Sequence, residues 1–277
     1  MRRWCLLAAA AAAGQPTRIW IDADCDGFHD AAAINQLSHY NIIGASAVFG
    51  SATVVEAQRK CADVLRKANI DVEVTAGASN YEDTQAANKA VGAMTHELAK
   101  AIKDGVTMTI VSLGTLTNVA ALVVRRPDLS ESLKVVITCS TNDPQDICVS
   151  KDWQALAALL RSPADLTMAP PAPPAEWDDV SELEPWLSTL ITGPTRDPTV
   201  AGALNGERCE AENAWLMPVN ADFHNPRFIL ETGDLPEWPT KATALRPDSI
   251  GLSGSLERCW GAHDARRRLL DEGRSEL

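Results

Sequence analysis

Short runs of apolar and β-branched residues alternate, over residues 17–168, with stretches whose apolar residues recur at helical spacing. This pattern predicts strands from Ile19 to the first aspartate and at residues 42–49, 71–76, 107–112 and 133–138, with a short sixth strand at 166–168. It predicts helices at 30–38, 54–67, 94–103 and 151–160, and one beginning within 114–118 with Thr117 as its cap. Such alternation is typical of parallel βαβ units. The expected fold class is therefore α/β, an open, mostly parallel sheet with helices on both faces.

The pattern weakens after the proline-rich segment at residues 169–174, which favours an extended and stiff conformation. Further helices are expected at 181–191 and 197–203, an irregular stretch at 206–253, and a closing helix at 255–272. The proline-rich segment could be a linker, but little core-forming sequence follows it. Residues 15–277 are therefore predicted to form a single domain.

The first 14 residues have a basic start, a short apolar run and a series of alanines. This arrangement is typical of a secretory signal peptide, and an alanine-rich extension or a misassigned start codon would look the same. A cleaved leader would place the protein in the secretory pathway or outside the cell; otherwise it would be cytoplasmic. No other segment is long and apolar enough to suggest a membrane partner.

The formal net charge is −12 and the isoelectric point is near 4.9. Such a field repels phosphate backbones, which argues against nucleic acid as a partner and leaves small molecules open. Seven cysteines at positions 5, 25, 61, 139, 148, 209 and 259 form no CxxC pair, so a zinc framework is not expected. One or two disulfides would be feasible, and spacing alone does not identify them.

Four aspartates, at positions 22, 24, 26 and 30, follow the first strand and lead into a helix. Carboxylates this close together repel one another unless a cation lies among them, and hard oxygen ligands suit Ca²⁺ or Mg²⁺. Open α/β sheets bind ligands just past the carboxyl ends of their strands. The alternative is a solvated turn in which an aspartate caps the helix.

Residues 22–31 read DADCDGFHDA and resemble, with one inserted residue, the DxDPGxDDA signature of the inosine–uridine-preferring nucleoside hydrolases. Three more stretches are similar to that family in order and spacing: VFGS at 48–51 with VTAG at 74–77, LGTLTN at 113–118, and RDPTVA at 196–201. The resemblance covers most of residues 17–205. It implies a nucleoside-hydrolase-like α/β fold that binds a nucleoside or related glycoside, in a family whose members are commonly dimers or tetramers.

The resemblance also implies a Ca²⁺ site made from Asp24, Asp30, the main-chain carbonyl of Leu113, and Asp197. The implied reaction is hydrolysis of an N-ribosidic bond. Asp24 would take a proton from a water whose pKa is lowered by the bound ion, and the hydroxide would attack C1′ of the sugar.

The implied substrate pocket departs from the family pattern. The ribose-binding aspartate is replaced by His29, unless Asp26 takes its place, and two family asparagines align with Ser51 and Cys148. The histidine that can protonate the leaving base aligns with Arg196, which stays protonated but could stabilise a departing anion. Lost contacts to sugar hydroxyls would weaken transition-state binding.

Two other interpretations remain. A nucleoside-hydrolase-like fold could bind metal or ligand without turnover, because function depends on the site rather than the fold. The segment DCDG at 24–27 also fits the first motif of haloacid-dehalogenase-type phosphatases, with Ser112 or Thr138 as the later hydroxyl residue. That scheme has no place for the LGTLTN and RDP segments.

Overall fold

The computed structural model describes residues 17–81, 88–139, 143, 145–169, 209–218, 228–233 and 253–259. The strands are β1 (Arg18–Ala23), β2 (Asn41–Ala47), β3 (Val74–Ala76), β4 (Met108–Ser112), β5 (Leu133–Ile137), β6 (Asp165–Met168), β7 (Cys209–Pro218), β8 (Phe228–Gly233) and β9 (Ser253–Cys259). The helices are α1 (Phe28–Leu37), α2 (Val54–Lys67), α3 (Lys89–Asp104), α4 (Thr117–Arg125), α5 (Pro127–Ser130), α6 (Ile147–Ser150) and α7 (Trp153–Leu160). Within these residues, no helix has the length and apolar character needed to span a bilayer.

The described strands form one sheet in the order β3-β2-β1-β4-β5-β6-β9-β7-β8. All neighbours from β3 to β9 are parallel, whereas β7 is antiparallel to both β9 and β8. The chain order reverses between β1 and β4, which makes this the topological switch point of the sheet. The predicted open, mostly parallel sheet is confirmed.

Helices cover both faces of the sheet, as predicted. Trp20 and Ile110 belong to one apolar cluster that also contains buried residues of α3, α4 and α7. Ile21 and Val111, the next residues along the same strands, belong to a second cluster with residues of α1 and α2. This alternation explains why the central strands are apolar at nearly every position.

Helix α2 begins and ends at the predicted residues. Its first turn carries a capping box, in which the Thr53 hydroxyl accepts the N–H of Glu56 and the Glu56 carboxylate accepts the N–H of Thr53. Helix α3 begins five residues before the predicted start, with Asn88 as its N-cap. It ends at Gly105, whose φ of 68° is the left-handed conformation that glycine favours.

The expected cap of α4 is wrong, and the helix expected at 151–160 is confirmed as α7 with a later start. Thr117 is not the cap of α4: Leu116 is the N-cap, and the Thr117 hydroxyl donates instead to the buried carboxylate of Asp152. The helix predicted at 151–160 begins at Trp153, because Asp152 accepts the N–H of Ala155 and caps it there. A separate short helix, α6, precedes it.

The C-terminal expectations also need correction. The stretch predicted to be irregular contains β7 and β8, and the start of the predicted closing helix is strand β9. Residues 253–259 pair with β7 at seven positions and with the last two residues of β6. These pairings form a strand although the apolar residues of the segment have helical spacing. The proline-rich segment beyond Ala169 and the helices predicted at 181–191 and 197–203 lie outside the described residues.

Candidate metal and substrate site

The candidate site lies at the switch point, at the carboxyl ends of β1, β2 and β4. β1 is central and pairs in parallel with β2 on one side and β4 on the other. Asp22 is the next-to-last residue of β1, and Asp24 follows the end of the strand. The acidic loop is therefore in the crevice where α/β sheets bind ligands.

Asp24 and Asp30 form a buried carboxylate pair, with exposed fractions of 3% and 8%. Burial raises the pKa of Asp24, and burial together with the charge of Asp24 raises the pKa of Asp30 well above its ordinary value. The two side chains hydrogen-bond to each other. Each also accepts a backbone N–H at 3.2 Å, Asp24 from Ser51 and Asp30 from Asp26. The hydrogen bond between them requires one carboxyl group to be protonated. When both are ionised they repel each other, and a cation between them would relieve that repulsion.

The alternative of a simple helix cap does not hold in the described loop. The N-cap of α1 is Gly27, which makes no side-chain capping bond, and Asp30 is the third residue of the helix, within its first turn. The carboxylates are therefore directed to each other and to neighbouring backbone rather than to the helix end.

Two glycines allow the backbone to approach Asp24 closely. A Cβ on Gly50 would lie 1.9 Å from Oδ2 of Asp24, and one on Gly114 would lie 2.8 Å from its backbone nitrogen. The backbone at Gly114 therefore lies against the acidic loop. Gly114 directly follows Leu113, whose carbonyl is expected to bind the metal. The described oxygen donors fit a hard cation such as Ca²⁺.

Asp26 differs from its neighbours in the loop. Its carboxylate forms an ion pair with Lys60 of α2, which lowers the pKa of Asp26. The Ser51 hydroxyl also contributes a hydrogen bond to it. Asp26 thus has its own cation, at the outer side of the loop.

Besides the ion pair of Lys60, a disulfide between Cys25 and Cys61 connects the acidic loop to helix α2. Cys25 occupies the stretch where this sequence differs from the family signature, and its φ is 48°. A disulfide there, beside the ion pair of Asp26 and Lys60, fixes a residue held in the sparsely populated left-handed conformation. A second disulfide joins Cys139, just after β5, to Cys148 in α6.

Asp22 is fully buried below the pair. Its Oδ1 accepts from the Ser46 hydroxyl and, at 2.8 Å, from Nδ2 of Asn118. Burial raises the pKa of Asp22 to about 6, although these two hydrogen bonds favour the ionised form. The Ser46 hydroxyl in turn accepts from the indole N–H of Trp20 at 2.8 Å. Asp22, Ser46 and Trp20 thus form a buried chain of hydrogen bonds.

The structure places only some of the residues expected to bind the sugar at the site. Ser51 is at the site and contacts both Asp24 and Asp26. His29 is in the first turn of α1. Cys148 is buried and has no free thiol, because its sulfur is in the disulfide with Cys139. Cys139, Cys148 and the nearby carboxylate of Asp146 are residues of types that bind metals. The two cysteines are joined in a disulfide, however, and disulfide sulfurs are not thiolate ligands.

Arg196 and Asp197 lie outside the described residues, so their expected roles stay predictions. Sequence reasoning missed three residues that the structure places at the site: Lys60, Cys61 and Asn118. Lys60 and Cys61 carried no signal for their partners in the loop, whereas Asn118 lies in the quoted LGTLTN segment and was given no role.

The family model for the inosine–uridine preferring nucleoside hydrolases matches residues 19–170, more than half of the chain. The chain therefore belongs to this family, as its opening motif suggested. A search of curated proteins finds no match.

Solved structures of the same class share the fold. A plant nucleoside hydrolase, the PpNRh1 enzyme, is 14% identical, with a TM-score of 0.63 over 93% of this chain and 98% of its own. An inosine-guanosine nucleoside hydrolase is 16% identical, with a TM-score of 0.57 over 87% and 93%. An inosine-uridine preferring nucleoside hydrolase from Bacillus anthracis is 13% identical, with a TM-score of 0.53 over 80% and 95%. At these identities, the similarity concerns the fold.

Proposed function

We propose that the protein is a Ca²⁺-dependent hydrolase of the N-glycosidic bond of a ribonucleoside or related N-riboside. The observation that carries the proposal is the buried pair of Asp24 and Asp30 at the switch point, backed by Gly50. Two buried carboxylates that face each other in this crevice supply oxygen donors of the kind that a hard cation binds.

The ion would be held by the carboxylates of Asp24, Asp30 and Asp197 and by the carbonyl of Leu113. When bound, it would lower the pKa of a coordinated water. Asp24 would take the proton of that water, since its carboxylate is held by the Ser51 N–H and enclosed by Gly50. The guanidinium of Arg196 would stabilise the departing base as an anion.

The sugar would be bound by a set of residues different from the family's. The candidates are Ser51, whose N–H contacts Asp24, and His29, which directly precedes Asp30 in the first turn of α1. Asp26 could take part only by leaving Lys60. With Cys148 in a disulfide, the asparagine contact of other family members has no thiol to replace it.

This last observation favours a second candidate function: a protein that binds the cation and a ligand but does not hydrolyse it. The phosphatase interpretation is less well supported. Its scheme has no place for the LGTLTN and RDP segments, and the family model that matches the chain is that of the nucleoside hydrolases.

The first test is calorimetric titration of the purified protein with Ca²⁺, followed by assays of ribose release from inosine, uridine and other nucleosides. Asp30→Asn removes one ligand charge at the site. Asp63→Asn is the matched control, because it removes the same charge from an exposed ion pair with Arg66 on the outer surface of α2.

Ca²⁺ binding lost only in Asp30→Asn, with ribose release by the unmodified protein, would support the hydrolase. Binding without release from any nucleoside would support the non-catalytic alternative. Absence of binding, or equal binding by both variants, would contradict the metal site.

A further inference from the structure

Asn118 is a fully buried residue in the second position of α4, and it has no place in the proposed ligand set. Its Nδ2 donates to Oδ1 of Asp22 at 2.8 Å and to the carbonyl of Ala47 at 3.3 Å. Its Oδ1 accepts the N–H of Ala78 at 2.8 Å and an amide N–H of Asn88 at 3.2 Å. One side-chain amide thus uses both its donors and its acceptor.

These partners belong to separate parts of the same edge of the sheet. Asp22 is in β1, Ala47 is the last residue of β2, and Ala78 follows the end of β3. Asn88 caps α3 by accepting the N–H of Val91 at 2.9 Å. A single residue of α4 therefore joins three neighbouring strand ends and the start of another helix.

The absence of a side chain at Gly77 leaves room for the Asn118 amide. A Cβ on Gly77 would lie 2.2 Å from Nδ2 of Asn118 and 2.5 Å from the carbonyl of Ala47. A side chain at position 77 would therefore displace the amide from the strand ends. Gly77 also donates its N–H to Ala47 at 2.9 Å, which keeps β3 against β2 there.

The joined strand ends lead directly to the metal site. Asp22 is two residues before Asp24, and the N–H of Val48 donates to the carbonyl of Ala23 at 3.1 Å. The N–H of Phe49 donates to the carbonyl of Ala78 at 3.1 Å, just before Gly50 and Ser51 contact Asp24. A shift of these strand ends would move the Asp24 carboxylate away from its partners.

We propose that Asn118 is a positioning residue for the cation site, which acts by fixing the ends of β1, β2 and β3 without touching the ion or the substrate. The inference rests on the proposed function for its metal. Its structural part, the fixing of the strand ends, stands independently of that function. A fully satisfied buried network of this kind rigidifies what it joins.

The test compares Asn118→Ala with Thr117→Val, the neighbouring position on the same helix. Thr117 is also fully buried and donates to the buried carboxylate of Asp152, away from the strand ends. Both variants lose buried hydrogen bonds, so both should lower the melting temperature. A milder variant, Asn88→Asp, keeps a good N-cap for α3 but cannot donate to Asn118. It provides a folded protein should Asn118→Ala not fold.

Two readouts are used. Calorimetry well below the melting temperature gives the Ca²⁺ affinity, and hydrogen–deuterium exchange of the metal-free protein reports on peptides covering residues 44–51 and 74–81. We expect Asn118→Ala to lower the affinity about tenfold or more and to speed exchange in both peptides. Asn88→Asp should lower it about threefold, and Thr117→Val should leave both readouts within about twofold of the unmodified protein.

Equal losses in Asn118→Ala and Thr117→Val would show that Asn118 acts only through general stability and would overturn the proposal. Unchanged affinity and exchange in both asparagine variants would do the same. If the unmodified protein bound no Ca²⁺, the proposed function would fail. The exchange data alone would then decide whether Asn118 fixes the strand ends.

Discussion

Two kinds of carboxylate lie within one short loop. Asp26 is partly exposed and paired with Lys60, and its pKa is lowered. Asp24 and Asp30 are buried and face each other, and their pKa values are raised. The protein supplies a cation to the outer carboxylate, whereas no ion pair with the inner two is found among the described residues. The difference separates the acid of the DADCDGFHDA segment that is neutralised within the fold from the two that we propose as metal ligands.

The largest expected difference is in catalysis. Asp24→Asn should lower kcat for ribose release by about a thousandfold, because the amide cannot take a proton and is a weaker ligand. Asp26→Asn should lower it by less than about tenfold, since that carboxylate is already occupied by Lys60. Steady-state assays on the best nucleoside substrate measure both. Equal losses would mean that Asp26 enters the site during turnover and that the comparison is wrong.

The two disulfides should separate stability from metal binding. Replacing Cys25 and Cys61 by alanine opens a link between residues 36 positions apart and should cost about 4 kcal/mol of unfolding free energy. Replacing Cys139 and Cys148 opens a link across 9 positions and should cost about 3 kcal/mol. Denaturant unfolding measures both costs.

Ca²⁺ affinity should fall mainly in the first of these pairs, because only Cys25 lies between Asp24 and Asp26. Calorimetry of both double variants, well within the folded baseline, checks this. A greater loss of affinity on removing the second disulfide would place the metal near the end of β5 instead.

The buried acids Asp22, Asp24 and Asp30 should make the metal-free protein less stable as the pH rises. Asp22, with a pKa raised to about 6, favours folding in its neutral form, and Asp24 and Asp30 shift in the same direction. Their contribution is fully present below the unfolded pKa of about 3.9 and is lost as the pH rises through the folded values. For Asp22 that window is about pH 4 to 6.

Thermal melts with a chelator and with Ca²⁺, at about pH 5 and pH 7.5, measure this effect. The chelated protein should melt lower at the higher pH, and Ca²⁺ should restore more stability there. Asp30→Asn should flatten the dependence in the chelated protein. A chelated protein that gained stability over this range would contradict the raised pKa values of these buried acids.

Local signals were enough for the elements around the site. Helix α2 is predicted to the residue, because its apolar spacing is regular, and the structure adds a capping box at Thr53 and Glu56 that fixes its start. The acidic loop was predicted at a strand end because four aspartates follow an apolar strand. The parallel sheet followed from the alternation of strands and helices.

The contacts that distinguish the carboxylates could not be predicted, because they join distant positions. Lys60 is 34 positions from Asp26, Cys61 is 36 from Cys25, and Asn118 is 40 from Ala78. No spacing rule links such residues until the strand order and register are known. The C-terminal strands were missed for a similar reason, since β9 forms through pairing with β7 and β6 rather than through its own pattern.

The smallest expected effect comes from removing the outer cation. Lys60→Met would free the Asp26 carboxylate and add an uncompensated negative charge beside the inner pair. Ca²⁺ should then bind about two- to threefold more tightly at low ionic strength, with little difference at about 1 M salt, because the charge lies near solvent. Arg66→Met, which frees the exposed Asp63 on the same helix, is the matched control and should leave the affinity unchanged. A loss of affinity on freeing Asp26 would mean that Lys60 holds the loop in its binding shape, so that its ion pair supports the inner site as well as neutralising the outer carboxylate.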